Sequence, residues 1–206
     1  MQIIEKEKPY SCSKEQDNGN GSLMRILPIP LYQHFHVREN ISLEQEIEEI
    51  HIVSALTHVH ERSLIACGIY KFIVDELLHN PNKSSITKGL QNANTFYHNS
   101  PEYNSFSRLF SNDFSLTSHT DIKSSGYIID TLEAALWCLL TTNNYSTCVL
   151  QAVNLGGDTD TIAAIAGGLA GILYGFNSIP KEWMSSLIRQ EYIDSMCLAA
   201  AQSWCN

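Results

Sequence analysis

The sequence predicts an all-α fold. Three observations carry this: no segment sustains period-two alternation, several stretches repeat apolar residues at helical spacing, and clusters of Gly, Asn and Pro separate those stretches. The chain has 206 residues, 44% of them hydrophobic and 17% charged, enough to bury a sizeable core within one domain. No internal repeat or second domain is visible, so residues 1–206 read as a single multi-helix unit.

Residues 1–20 are polar and end in Asp17-Asn18-Gly19-Asn20-Gly21, a cluster that marks a tight turn. Ser22 to Leu31 is a short apolar segment, and its Pro28 and Pro30 forbid both a continuing helix and a central strand. A helix is predicted from Ser42, where Ser42 and Gln45 make a capping box and Leu43, Ile47 and Ile50 recur against Glu44, Glu48 and Glu49, to about His58. A second runs from about Arg62 to His79 through Ile65, Ile69, Phe72, Ile73 and Leu77, stopped by Asn80-Pro81. A third, weaker one spans Ser84 to Tyr97.

Residues 98–125 are rich in Ser, Asn and Thr and read as a long surface connection with one short helix. Gly126 then opens a helix to Leu140 whose apolar stripe is Ile128, Ile129, Leu132, Ala135, Leu136 and Leu139. Another covers Tyr145 to Asn154. An Ala/Gly helix follows the Gly156-Gly157-Asp158-Thr159-Asp160-Thr161 run and extends to Tyr174. Its Gly167, Gly171 and Gly175 leave one face bare for close helix packing. Ile179-Pro180 starts one or two terminal helices through Trp183 and Tyr192.

The net charge of −9, with only 13 scattered Lys and Arg, argues against nucleic acid as partner, because a phosphate binder carries a basic patch. The six cysteines are far apart, with no C-x-x-C pair, and read as reduced. The charged start has no apolar stretch of signal-peptide length, and the expected location is cytoplasmic. Ile162 to Phe176 is uncharged but shorter than the roughly 20 residues of a membrane span, so no membrane segment is expected.

Chemistry concentrates at the start of the Ala/Gly helix. Asp158 and Asp160 lie two apart and Thr161 follows, so three oxygen ligands converge where glycines allow close backbone approach. Hard cations such as Mg²⁺ take such ligands. The alternative is a helix cap, since Asp and Thr satisfy free N–H groups and complement the helix dipole. A cap explains one Asp; it explains less well a second Asp and a Thr against a helix so apolar.

Four stretches in order resemble the ADP-ribosylglycohydrolase family: Asn18-Gly19-Asn20-Gly21-Ser22-Leu23-Met24-Arg25-Ile26-Leu27-Pro28, Leu56-Thr57-His58-Val59-His60, Gly126-Tyr127-Ile128-Ile129-Asp130-Thr131-Leu132-Glu133-Ala134-Ala135-Leu136-Trp137, and Asn154-Leu155-Gly156-Gly157-Asp158-Thr159-Asp160-Thr161-Ile162-Ala163-Ala164. The resemblance implies an all-α fold, a binuclear Mg²⁺ site, and hydrolysis that releases ADP-ribose from a modified side chain or related acceptor. By position, Asp158, Asp160 and Thr161 resemble metal ligands. Asn20, Gly21, Ser22 and Met24 resemble the loop on the diphosphate and ribose, where a Gly-rich turn offers N–H groups to phosphate. His58 resembles a ligand-side histidine and Tyr127 the residue packed on adenine; without the resemblance both read as ordinary core or surface residues. The His58-x-His60 and His34-x-His36 pairs lack the further ligands of a zinc site.

The family also has a Gly-Asp-x-x-Gly stretch and a Thr-Asp-Asp-Thr run supplying the other metal ligands and an acidic residue. Here the only Gly-Asp is Gly157-Asp158 and no two aspartates are adjacent. The chain therefore reads as the C-terminal part of the family's domain, with half a metal site. Three expectations follow: a working half completed by a separate chain and acting on ADP-ribosylated protein, a non-catalytic binder of ADP-ribose or of a protein partner, or a remnant that exposes apolar faces.

Overall fold

The computed structural model describes residues 17–36 and 39–204. Within them a short 3₁₀ turn, Leu23–Arg25, precedes nine helices: α1 Pro28–Phe35, α2 Leu43–Ala55, α3 Glu61–His79, α4 Lys83–Tyr97, α5 Ile128–Thr141, α6 Tyr145–Asn154, α7 Thr159–Tyr174, α8 Lys181–Ser185 and α9 Gln190–Trp204. The described residues contain no strand, only an isolated antiparallel bridge between Gly19 and Tyr127. The all-α expectation holds.

Helix α3 lies at the centre because its middle, Ile65 to Val74, is buried on every side, and α1, α2, α4, α5 and α7 all pack against it. A helix apolar all round has nowhere else to go. The exception proves informative: Lys71 is 2% exposed, and its ammonium reaches Glu46 of α2 at 2.8 Å and also Asp75, one turn along. A buried charge needs such partners, so this pair fixes how α2 lies on α3. The capping box of Ser42 and Gln45 forms as predicted, and Asn80 ends α3.

Two readings of the sequence are corrected. Pro28 and Pro30 do not interrupt structure; they start α1, with proline in its first turn, where backbone N–H groups have no intrahelical acceptor to lose. Residues 98–125 hold three 3₁₀ turns, not one helix: Tyr103–Phe106, Phe114–Leu116 and His119–Asp121. They are pinned by buried Phe106, Leu109, Phe114 and Ile122, apolar residues too sparsely spaced to show a period.

Helices α5, α6 and α7 form a second layer. The packing expected at Gly167, Gly171 and Gly175 is also redistributed. The tight approach is at Gly168, where a Cβ would sit 2.9 Å from Leu27 and 3.1 Å from the Tyr70 hydroxyl, whereas Gly171 meets nothing within 4 Å. Gly175 ends α7 in the left-handed region at φ +82°. No described helix is long and apolar enough to cross a membrane.

The last helix differs from the rest. No residue of α9 is buried, and it faces α1 across a cleft of about 520 Å³ lined by Leu27, Leu31, Phe35, Met196, Ala200 and Trp204. An apolar face is thus left uncovered among the described residues.

Cys67, Cys138, Cys148 and Cys197 are free thiols, while Cys12 and Cys205 lie outside the described residues. Burial pushes the Cys67 and Cys148 thiols up to about 11 and Cys138 up to about 12, and the thiolate is the reactive form. Alkylation of the native protein at pH 8, mapped by peptide mass, is expected to modify exposed Cys197 and to spare Cys67, Cys138 and Cys148 until the protein unfolds.

Candidate functional site

Three distant segments cross at one point. The Asn18–Ser22 turn is stitched to the segment before α5 by two backbone bonds, Asn20 N–H to Gly126 O at 3.0 Å and Ile128 N–H to Asn18 O at 2.9 Å. The same segment holds the start of α7, since Asp158 N–H donates to Ser124 O at 2.9 Å and the Ser124 hydroxyl donates to Leu155 O at 3.2 Å. Gly156 and Gly157 turn the chain there at φ +77° and +66°, a region that costs other residues energy. Gly157 has a second reason to lack a side chain: a Cβ would lie 2.1 Å from Ser124 O.

Asn20 closes the junction. Its amide is 8% exposed and donates to Thr131 Oγ1 at 2.9 Å and to Asp158 Oδ2 at 2.6 Å. The Thr161 hydroxyl donates to Asp158 Oδ1 at 3.1 Å. The Asp158 carboxylate therefore does not cap α7, for which it makes no side-chain bond; it faces a polar junction instead. The Asn20 amide, and after it the Thr161 hydroxyl, holds its carboxyl below the usual carboxylate range, so it stays ionised.

Asp160 is exposed and Thr161 buried on the first turn of α7. Two carboxylates and a hydroxyl are hard oxygen donors that suit Mg²⁺, with no imidazole or thiol in the set to favour a softer ion. They fill at most half of the roughly six positions that Mg²⁺ takes. Among the described residues no group of three or more His, Cys, Asp or Glu is placed to hold a metal.

The other expected site residues are placed unequally. The half-buried His58 ring stands over the turn, since a Cβ on Gly21 would lie 3.0 Å from its Cε1 and one on Gly19 3.6 Å from its Nε2. Met24 is 53% exposed. Ser22 is fully buried and its Oγ accepts from the Cys67 thiol at 3.6 Å, so its hydroxyl is turned away from the surface of the turn. Tyr127 is half-buried beside Gly126, its hydroxyl accepting from Arg62 Nη1 at 2.8 Å, and Arg62 is held in turn by Glu102 at 2.6 Å.

Several residues at the junction were not singled out from sequence. Thr131, buried on α5 and donating to Ser125 O at 2.9 Å, carried little signal, with Asp130 and Glu133 close by in the sequence. Ser124, Arg62 and Glu102 carried none, because they act through contacts with remote segments.

The half-buried His51, bonded to the Tyr97 hydroxyl at 2.9 Å, and His58 are both held below the ordinary histidine range, first by burial. Each binds fewer protons folded than unfolded, so stability is present above ~6.5 and falls as pH drops through the window beneath it. Urea melts between pH 7.5 and 5.5 are expected to show a decreasing midpoint; a rising one would contradict the neutral histidines.

This geometry defines an all-α protein with an acidic helix start clasped to a glycine turn. The sequence matches the family model described as ADP-ribosylglycohydrolase over residues 2–206, and the chain belongs to that family. It is 33% identical over 187 residues to an ADP-ribosylarginine hydrolase, Tri1, of Serratia proteamaculans (strain 568), covering 91% of this chain and 47% of the relative. It is 33% identical over 180 residues to the ADP-ribosyl-dinitrogen reductase glycohydrolase of Rhodospirillum rubrum, covering 87% and 53%. The solved structure of an ADP-ribosylglycohydrolase-related protein complex superposes with TM-score 0.75 at 27% identity, over 92% of this chain and 62% of that one. The chain thus spans about half the length of these curated relatives.

Proposed function

We propose that the chain seats ADP-ribose between the Asn18–Met24 turn and the start of α7, and serves the hydrolysis of an ADP-ribosyl bond on a modified protein. The observation that carries this reading is the 2.6 Å bond between Asn20 and Asp158, residues 138 apart in sequence. It joins the phosphate-side turn to the acidic helix start. Arginine is the acceptor we favour, because relatives that align over most of this chain are named for ADP-ribosylarginine.

In this reading the backbone of Asn20 and Gly21 and the Met24 side chain face the diphosphate and ribose with Ser22 packed behind them, His58 lies beside them, and Tyr127 walls the adenine. Asp158, Asp160 and Thr161 hold Mg²⁺. The ion, when bound, polarises an oxygen of water or of the ribose. Asn20 keeps Asp158 oriented and ionised, while Thr131 keeps Asn20 in place. Further carboxylates, contributed by another polypeptide segment, complete the shell.

The test is to incubate the purified chain with arginine-ADP-ribosylated protein and follow free ADP-ribose. Release that needs Mg²⁺ and stops in EDTA is the expected result. A second reading, binding without hydrolysis, is favoured by the pairing of only two carboxylates at the site. Its result is ADP-ribose binding indifferent to EDTA, with no release. A chain that neither binds nor releases ADP-ribose overturns both.

A further inference from the structure

We propose that Arg25 and Thr57 are positioning residues, which hold His58 as a neutral imidazole with its proton on Nε2, facing the Asn18–Ser22 turn. The inference rests on the reading of that turn as the seat of the diphosphate. It deepens that reading by assigning the ring's tautomer and the residues that set it.

The hydroxyl of Thr57 decides the matter. Arg25 Nη2 lies 2.6 Å from Thr57 Oγ1, and a guanidinium only donates, so Oγ1 accepts there. Thr57 Oγ1 also lies 2.7 Å from His58 Nδ1. The oxygen could accept a second time, but its single proton has no acceptor other than Nδ1 among the described residues; donating it there makes Nδ1 the acceptor and leaves the ring proton on Nε2. An imidazolium would leave the Thr57 hydroxyl proton without an acceptor among the described residues and place a second positive charge by Arg25. The charged groups that act on His58 are Arg25, which disfavours protonation, and Asp17, which favours it less; burial disfavours it most.

Arg25 does more than fix the hydroxyl. Its Nη1 donates to Gly21 O at 2.9 Å, and Nη2 also reaches Val53 O at 3.3 Å. His58 itself is anchored by its N–H to Ser54 O at 2.9 Å. One guanidinium thus ties the glycine turn and the histidine ring to the end of α2, so that the Nε2 edge of the ring stays against Gly19 and Gly21. A fixed neutral donor at that edge suits a phosphate oxygen, and its hydrogen bond does not weaken as pH rises through neutrality.

The test combines ¹⁵N NMR of the His58 ring with calorimetric titration of ADP-ribose, on the full chain and two variants. The wild type is expected to show a protonated Nε2 and a bare Nδ1 at pH 7.5. Thr57→Val is expected to show a mixture of tautomers and about tenfold weaker binding, the loss of one placed hydrogen bond. Thr57→Ser, which keeps the hydroxyl, should match the wild type in both. An Nδ1 proton or an imidazolium in the wild type overturns the inference, whether or not the variants fold. So does a Thr57→Val protein with unchanged ring shifts and unchanged affinity. A wild type with the expected ring pattern but no ADP-ribose binding supports the assignment of the ring and overturns the function proposed for the turn.

Discussion

Gly157→Ala is expected to destabilise the protein by about 2–6 kcal/mol and to abolish binding of ADP-ribose. A side chain at φ +66° costs roughly 1–3 kcal/mol in backbone strain. The added Cβ would also fall 2.1 Å from Ser124 O, and relieving such an overlap costs about 1–3 kcal/mol more. The displaced carbonyl is the one that accepts from Asp158 N–H, so the carboxylate moves away from Asn20. For a chain of this length the sum corresponds to a drop in Tm of about 4–24 °C. Gly156→Ala is the control. Its φ is similar at +77°, yet nothing lies within 4 Å of its Cβ position, so it should show the strain alone and keep its ligand. Thermal melts and calorimetry on both variants check this, and equal losses would show that the contact with Ser124 is unimportant.

The second large effect is chemical. Asp158→Ala combined with Asp160→Ala is expected to remove every Mg²⁺-dependent change in ligand affinity or hydrolysis while leaving the fold cooperative. The fold survives because Asp160 is exposed and Asn20, after losing Asp158, keeps Thr131 as acceptor. Asp158 makes no capping bond to α7, so the helix start does not depend on it. Isothermal titration of Mg²⁺ with and without ADP-ribose measures the effect; metal binding that persists in the double variant would refute the assignment of the ligands.

Much of the fold was legible because helices announce themselves locally. The Ser42–Gln45 box, the Asn80-Pro81 stop and the Tyr145–Asn154 span all rest on residues a few positions apart, and each appears where the sequence places it. Misreadings came where position outweighed residue type. Pro28 breaks a helix interior but starts one, and Phe106 and Phe114 anchor a connection with no period to reveal them.

The site divides the same way. Asp158, Asp160, Asn20, His58 and Tyr127 stand in motifs that single them out, yet what joins them does not. The Asn20–Asp158 bond spans 138 residues, and the path from Arg25 through Thr57 to His58 depends on how α2 ends against the turn. Sequence also suggested Ser22 as a ligand contact, whereas its hydroxyl is turned inward to Cys67. No local pattern distinguishes a serine facing a ligand from one facing a core.

The central claim is that the glycine turn and the acidic helix start form one ADP-ribose seat. Calorimetric titration of ADP-ribose into the wild type and into Asn20→Ala, each with and without Mg²⁺, tests it most directly. The wild type should bind, more tightly with Mg²⁺, and Asn20→Ala should lose both the affinity and its dependence on the ion. Equal binding by the two proteins, or none by the wild type, would contradict the account.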